Sequence, residues 1–328
     1  MAAGVGSRLD PITKDIPKPL VPILNKPVMD ILLEKLKQQG ISEVIANTYY
    51  LAEQIQERYT KNSPVDISFN YIHEVELSGT AGGVKKCEFF FQDVENFLVV
   101  SADGLHDADL GKIVQSHIDS KCIATMAIIA IEPEEVSQYG VVVPSKENTV
   151  IEFQEKPAVE EAKSNYINTG IYVFNKRIFD FIPKNEKYDF AKNVFPSLLE
   201  AGEKINVFEI FSYWSDIGTI EQYIQSNIDS LSKKVNAMQN NIEKTENYIL
   251  KSGENCTIDN SCTFKNNVVI GDNCVIGKNV VLDNVIFLNN VVVKDDVILK
   301  NVVCANNTII ENSILEKEEW SIVASSLK

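Results

Sequence analysis

Histidine is scarce in this chain of 328 residues: only His73, His106 and His117 occur, and none lies beyond position 117. A histidine base is thereby excluded from everything downstream, which bears on the C-terminal region below. The six cysteines (87, 122, 256, 262, 274 and 304) contain no C-x-x-C pair. A disulfide framework or a zinc site is not expected, and a reducing cytoplasm is the expected compartment. The longest apolar run, Ile123–Ile131, falls far short of the ~20 residues of a membrane span. Met-Ala-Ala-Gly at the start lacks the basic segment and apolar core of a signal peptide. Positive charge is short as well: 31 basic against 46 acidic side chains leave a net charge of −15. That balance argues against nucleic acid or an anionic membrane as the main partner. Any phosphate must be held by a few local cations and backbone amides.

What is present is enough for a real core, with 45% apolar and 23% charged residues. At roughly 100–200 residues per domain the length suits two domains. Residues 1–235 alternate helix and strand signals. Pro27 opens a helix whose face is Val28, Ile31, Leu32 and Leu36, and Gly40 closes it. Val44–Ala46, Ile67–Ile72, Phe97–Ala102 and Cys122–Ile131 read as strands, with helical stretches Ala81–Phe91 and Leu110–His117 between them. The alternation implies an α/β layer fold on a mostly parallel sheet. Tyr139–Pro157 reads as a hairpin laid on that core.

Residues 236–247 read as a linker, and from 248 to 328 the statistics change. Ile258, Phe264, Ile270, Ile276, Leu282 and Leu288 recur every six residues, beside a second column at Cys256, Cys262, Val268, Cys274, Val280 and Ile286. A six-residue unit with Asn, Asp, Gly and Lys at its corners is the mark of a parallel β-helix, three units to a coil. Cys256 and Cys274, one full coil apart, should be stacked neighbours carrying free thiols. The first column fails at Lys294 and Lys300, while Val285, Val291, Val297 and Val303 keep the period in a shifted phase. This predicts an irregular coil, not an end.

Chemistry concentrates at the start: Ala2-Ala-Gly4-Val-Gly6-Ser7-Arg8-Leu9, then Pro11, Thr13 and Pro17-Lys18-Pro19-Leu20. Glycines let backbone N–H groups approach an anion, Ser7 and Arg8 add donors, and Lys18 sits on a stiff proline-flanked segment. No third glycine completes a dinucleotide loop, and no G-K-[ST] completes a Walker loop.

This run strongly resembles the signature of the sugar-1-phosphate nucleotidyltransferases, A-A-G-x-G-[ST]-R-L-x-P-x-T-x-x-x-P-K-P-L. Further motifs follow in the family's order: Gly79-Thr80-Ala81-Gly82, Ser101-Ala-Asp103, Tyr139-Gly140, Glu155-Lys156-Pro157, Asn168-Thr169-Gly170 and Trp214-Ser-Asp216-Ile-Gly218. The resemblance implies a Rossmann-like nucleotide-diphospho-sugar transferase domain followed by a left-handed parallel β-helix. It implies transfer of a nucleoside monophosphate from an NTP to a sugar 1-phosphate, with pyrophosphate leaving in line. Two anions must meet, so positive charge and alignment matter more than acid–base chemistry. On this reading Arg8 and Lys18 are catalytic, at the β/γ- and α-phosphates. Ala3, Gly4, Gly6, Ser7, Glu74, Gly79 and Thr80 bind the nucleotide. Gly140, Glu155, Lys156, Asn168 and Thr169 bind the sugar phosphate, and Asp103 and Asp216 hold Mg2+. Glu74, as an acceptor-only carboxylate, would suit guanine's two adjacent donors, so GTP and mannose 1-phosphate giving GDP-mannose is the first choice. Uridylyl, thymidylyl or adenylyl transfer to glucose 1-phosphate is the alternative. Asp109 reads as a helix N-cap, Asp107 as structural, Trp214 as packing and His106 as a loop residue.

Two departures stand out. The family's strand before A-A-G is missing, which predicts a natural start several residues upstream or a Met1 internal to a strand. Ala102 replaces the usual glycine before Asp103, with Gly104 after it. A non-catalytic nucleotide-sugar-binding subunit is a rival reading, against which Arg8, Lys18, Asp103 and Asp216 stand together. An acyltransferase β-helix would need a histidine that the tail lacks. The β-helix is expected to pack copies into a homo-oligomer.

Overall fold

The computed structural model describes residues 1–61, 63–236, 241–315 and 319–324. Two compact units divide the chain: Met1–Gly4 with Leu32–Asp216, and Val5–Ile31 with Ile217–Lys328. Compactness thus cuts the chain elsewhere than at 235 and 248. Part of the reason is local: the Leu24 N–H donates to Asn227 Oδ1 at 3.0 Å and Asn25 Nδ2 to the Ile270 carbonyl at 2.7 Å. The glycine-rich segment is thereby tied to residues late in the chain. Positions 237–240 of the expected linker, and 316–318 and 325–328 of the expected β-helix, lie outside the described residues.

In chain order, β1 (Pro22–Ile23) and β2 (Lys26–Pro27) form a short hairpin with Leu24 and Asn25 at positive φ at its tip. Helix α1 (Val28–Gln38) buries Val28, Ile31, Leu32 and Leu36 as its spacing predicts. Gly40, at φ +86°, ends it, and the Ile41 N–H caps the Leu36 carbonyl at 3.0 Å.

The first unit then runs β3 (Glu43–Thr48), α2 (Ala52–Thr60), β4 (Ser68–His73), α3 (Gly79–Lys86), β5 (Asn96–Val100), β6 (Leu105–His106), α4 (Leu110–Ser120) and β7 (Ala124–Ala130). There follow β8 (Gly140–Pro144), β9 (Val150–Glu155), β10 (Tyr166–Asn175), α5 (Phe195–Glu200), β11 (Ile205–Glu209) and β12 (Trp214–Ser215). The largest sheet orders its strands β11-β7-β10-β8-β9, with β5 also on β10. Strand β10 runs antiparallel to both β5 and β7, so the sheet is mixed where alternation alone predicts a mostly parallel one. The reason lies in the β8–β9 hairpin, which returns the chain without a helical crossover. Strands β3 and β4 pair in parallel, and Ala2 bridges to Thr48 in the same sense. Met1 donates to the Val100 carbonyl at 2.7 Å and accepts from the Ala102 N–H at 2.9 Å, so Met1–Ala2 occupies a strand position between β3 and β5. The core beneath is aromatic: Phe97 stacks on Phe179, and Phe174 on Phe190. Each such ring removed from water contributes roughly 2–3 kcal/mol.

In the second unit, α6 (Ile220–Leu231) starts at a Thr219–Gln222 capping box. Beyond it come β13 (Glu243–Lys244), β14 (Tyr248–Ser252), β15 (Thr257–Ile258), β16 (Thr263–Ile270), β17 (Val275–Ile276), β18 (Val281–Phe287), β19 (Val292–Val293), β20 (Ile298–Cys304), β21 (Ile309–Ile310), β22 (Ile314–Leu315) and β23 (Ser321–Val323). They stack in parallel as a β-solenoid, with β13 alone antiparallel at its start. Thr257 pairs with Val275, eighteen positions on, and the next partner, Val292, comes after seventeen. One residue is lost between Asp283 and Val285, where β18 sets Asn284 alone against Asn266 and Asn267 of β16 and the register shifts. That deletion is the phase change in the sequence: the buried column moves from Ile286 and Leu288 to Val285, Phe287, Val291 and Val293. Cys256 and Cys274 are neighbours, as the coil length predicts, and all six thiols are free. Asn273, Asn284, Asn290, Asn301 and Asn307 stand at positive φ at the corners. Their amides bond from coil to coil, Asn284 to Asn301 at 3.2 Å and Asn290 to Asn307 at 3.0 Å.

Candidate functional site

The glycine-rich segment belongs to the second unit. Gly6, at φ +75°, precedes a 3-10 turn over Ser7–Leu9, and its carbonyl accepts from the Leu9 N–H and from Thr13 Oγ1, each at 2.8 Å. A Cβ at Gly6 would lie 3.0 Å from Thr13 and 3.1 Å from the Lys18 stem, so only glycine lets the turn sit against the Pro17–Leu20 segment. Ser7 and Arg8 are exposed on this turn while Leu9 beneath is fully buried. Lys18 is half-buried, at the start of a second 3-10 turn.

Ala3 and Gly4 lie in the first unit, where the preceding residue is anchored. The Ala2 N–H donates to Asn47 Oδ1 at 3.1 Å, and Asn47 Nδ2 donates to Glu74 Oε1 at 2.8 Å. The other carboxylate oxygen of Glu74 accepts from the Ser78 N–H at 3.1 Å, from Lys86 Nζ at 3.0 Å and from the Ser78 hydroxyl. Burial raises the pKa of this carboxyl, yet the bonds from Ser78, Asn47 and Lys86 outweigh it and hold the group below the usual carboxylate range. Glu74 is 2% exposed, with both oxygens engaged by protein donors. The placement of Glu74 against a base edge is therefore corrected in this conformation: no oxygen is turned outward for a base. Thr80 is exposed in the first turn of α3. Its N–H and hydroxyl meet Asp189 Oδ1 at 3.1 and 3.2 Å, and its oxygen accepts from the Phe190 N–H at 2.9 Å, so it holds the 188–190 segment. Gly79, at φ +80°, lies so close to Tyr188 that a Cβ would come within 2.5 Å of its carbonyl.

Asp103 and Asp216 come from the two ends of a small ladder in the same unit. Trp214 pairs with His106 and Ser215 with Leu105, antiparallel. The last rung, Ser215–Leu105, stands one residue before Asp216 and two residues after Asp103. The residue after Asp216, Ile217, has φ +42°, an outlier for a β-branched side chain that marks a costly local turn. His106, expected in a loop, is instead in strand β6 and 3% exposed, with neither ring nitrogen bonded. Burial, aided by the Lys35 ammonium, pushes its pKa down to about 3. Asp109 caps α4 through the Lys112 N–H at 3.0 Å, as read from the sequence.

The sugar-phosphate candidates gather at two places. Gly140 pairs with Glu155 across β8 and β9, and a Cβ there would meet the Phe153 ring at 2.5 Å and Glu155 Oε2 at 3.3 Å. Lys156 follows, exposed and at φ +49°, with its N–H on the Tyr139 carbonyl at 3.1 Å. Asn168 and Thr169 lie where the register of β10 to β7 shifts. Asn168 donates to the Tyr172 hydroxyl at 2.7 Å and accepts from the Gly170 N–H at 3.1 Å. Thr169 is buried with its hydroxyl on the Ala127 carbonyl at 2.7 Å, and its own carbonyl accepts from Trp214 Nε1 at 3.0 Å. It shapes the bulge and offers no hydroxyl to a sugar, which corrects its assignment. Tyr139 meets the Trp214 ring edge-on at 5.7 Å, linking the Lys156 turn to the strand that ends at Asp216. Asn47, Ser78, Lys86 and Asp189 escaped the sequence reading. Only the second glycine of Gly82-Gly83 hints at the cluster, since a Cβ at Gly83 would lie 2.4 Å from Asn47 Nδ2.

The donor set fits Mg2+. Among the described residues no group of three or more His, Cys, Asp or Glu could hold a metal. Asp103 and Asp216 as a pair would suit a hard ion that takes its remaining ligands from substrate phosphates and water, and would not suit a closed protein cage. No helix among the described residues is long and apolar enough to cross a membrane.

Comparison with known proteins agrees with this layout. The profile of the Nucleotidyl transferase family matches residues 1–233, and that of the GMPPB C-terminal domain matches 245–327. A UTP–glucose-1-phosphate uridylyltransferase of Synechocystis is 39% identical over 251 residues, covering 73% of this chain and 64% of the relative. A mannose-1-phosphate guanylyltransferase of Mycobacterium tuberculosis is 29% identical over 230 residues, covering 70% and 63%. The match thus spans less than two thirds of either relative's length. Among solved structures, HddC from Yersinia pseudotuberculosis superposes with a TM-score of 0.60 at 27% identity, over 69% of this chain and 95% of that one.

Proposed function

We propose a reaction from the premise that this chain belongs to the Nucleotidyl transferase family: it transfers a nucleoside monophosphate from an NTP to a sugar 1-phosphate. An anionic oxygen of the sugar phosphate forms a bond to the α-phosphorus as the bond from that phosphorus to the β-phosphate bridge breaks. Pyrophosphate leaves with the electron pair, and no proton need move. The chain's task is to hold two anions in line. Arg8 takes the β/γ-phosphates and the charge of the leaving pyrophosphate, Lys18 the α-phosphate, and Lys156 the sugar phosphate. The backbone of Ala3, Gly4, Gly6 and Ser7 cradles the nucleotide, and Gly79 leaves room beside it. Glu155, Asn168 and the Gly140 backbone face the sugar hydroxyls. Mg2+ between Asp103 and Asp216 would screen phosphate charge and polarise the α-phosphoryl oxygen. The observation that supports this reading is the β6–β12 ladder, whose last rung, Ser215–Leu105, lies one residue from Asp216 and two from Asp103.

For the substrates, the first reading is GTP and mannose 1-phosphate giving GDP-mannose, and it draws on the similarity to the Mycobacterium tuberculosis mannose-1-phosphate guanylyltransferase. Glu74 no longer supports it. A second reading, UTP and glucose 1-phosphate, draws on the similarity to the Synechocystis enzyme. We take the solenoid to hold copies of the chain together, which mass in solution would test. The deciding experiment incubates the chain with Mg2+, each of four triphosphates and either sugar phosphate, and reads products by mass spectrometry. GDP-mannose is expected; UDP-glucose would favour the second reading. No nucleotide-sugar from any pair, with nucleotide-sugar still bound, would make the chain a regulatory subunit.

A further inference from the structure

We infer that Glu74 is a positioning residue whose carboxylate, through Asn47 and Ser78, sets the glycine loop and the base-side turn in a common frame. The inference rests on the nucleotidyl-transfer reading and deepens it. Two segments assigned to the nucleotide are distant in sequence, Ala3–Gly4 and Gly79. Each is preceded by a residue whose backbone N–H is held within a single buried cluster: Ala2 by Asn47, and Ser78 by Glu74. Asn47 joins the two through its amide, donating to Glu74 at 2.8 Å on one side and accepting from Ala2 at 3.1 Å on the other. Asn47 is 6% exposed and Glu74 2%, so these bonds are sheltered from exchange with water.

Charge and shape agree with that role. The Lys86 ammonium, 3.0 Å away, neutralises the buried carboxylate from the end of the same helix that Ser78 begins. Every group facing Glu74 is a donor, so an amide in its place would set its own N–H2 against Asn47 or against Ser78 and Lys86 whichever way it turned. Gly83 completes the fit. Any side chain there would strike Asn47 Nδ2 at 2.4 Å and Glu74 Oε1 at 3.0 Å. A displacement on the order of 1 Å in either segment is enough to spoil alignment of a phosphate chain.

The test compares Glu74→Gln, Asn47→Ala and Gly83→Ala in the full chain. It measures pyrophosphate binding with Mg2+, the KM for each triphosphate and the KM for the sugar 1-phosphate. Pyrophosphate lacks a base, so it reports on the phosphate loop alone. Each variant should weaken pyrophosphate and every triphosphate alike by about tenfold, with the sugar-phosphate KM within about twofold. Asn47→Ala added to Glu74→Gln should cost nothing further, because both cut one connection. Should Glu74→Gln melt below the assay temperature, Asn47→Ala and Gly83→Ala carry the same comparison. A Glu74→Gln that weakened one nucleobase only, with pyrophosphate unchanged, would overturn the inference and return Glu74 to the base edge. Unchanged binding in folded variants would overturn it too. If the unaltered chain bound neither pyrophosphate nor triphosphate, the nucleotidyl-transfer reading would itself fail first.

Discussion

The solenoid and the sheet unit use the same uncommon backbone conformation for opposite ends. At the solenoid corners the positions of positive φ are filled by asparagine, at 273, 284, 290, 301 and 307. Asparagine tolerates the left-handed region at little cost, and its amide then bonds the next coil. In the sheet unit the same region holds Lys156, and in the second unit Ile217 adopts it directly after Asp216. Neither residue type is suited to it, and the cost is on the order of 1–2 kcal/mol each. Where the conformation is cheap and repeated it builds structure. Where it is expensive it closes ordinary turns at Leu24, Leu51 and Lys121, and at Lys156 and Ile217 it falls on or beside residues assigned to phosphate and metal.

The largest effect that would sharpen this contrast lies at the carboxylate pair. Asp216→Asn or Asp103→Asn should lower kcat by about a thousandfold, the loss of metal-assisted charge stabilisation. The melting temperature should stay within a few degrees, and calorimetry beside a pyrophosphate-release assay reads both. A solenoid corner should behave in the reverse way. Asn284→Ala removes bonds to Asn267 and Asn301 and puts alanine at φ +52°, costing about 2 kcal/mol of stability with turnover unchanged. Chemical denaturation measures it.

The smallest effect concerns His106. Its folded pKa of about 3 lies below its usual value of 6.5, so the unfolded chain takes up a proton first as pH falls. Stability is therefore full above about pH 6.5 and is lost progressively toward pH 3. His106→Phe removes that loss and two buried unbonded nitrogens, so it should gain roughly 1 kcal/mol at pH 5 and less at pH 8. A melting series across pH checks the difference. An identical acid limb in both proteins would show that the imidazole does not contribute.

Repetition explains how much could be read beforehand. Ten copies of a six-residue period announced the solenoid, and even its lost residue was visible as a phase shift at Lys294 and Lys300. Strands β5 and β7 stood out as short apolar runs because they are largely buried, whereas β4, with no fully buried residue, showed as an alternation of apolar and polar residues. Strand β10 did not, since Asn168-Thr169-Gly170 at its bulge looks like a turn although it lies mid-sheet. The mixed sheet followed from that missed strand. In the site, the motif residues of the Gly140–Lys156 hairpin and those flanking the β6–β12 ladder were legible only through the resemblance to the family's motifs. The partners of Glu74 were not, because a buried carboxylate and an exposed one are spelled alike, and its donors come from positions 47, 78 and 86. His106 failed for the same reason: a histidine between Leu105 and Asp107 carries no mark of a strand, and its partner Trp214 comes from far along the chain.

The most direct measurement is a reciprocal exchange, Lys156→Asn against Asn290→Lys, with melting temperature and turnover read on both. Lys156→Asn should melt at the same or a higher temperature and lose turnover by at least about a hundredfold. Asn290→Lys, which also forfeits the bond to Asn307, should melt lower and turn over normally. A Lys156→Asn protein that kept its turnover, or that melted below the unaltered chain, would contradict the claim that this lysine occupies its costly conformation for chemistry.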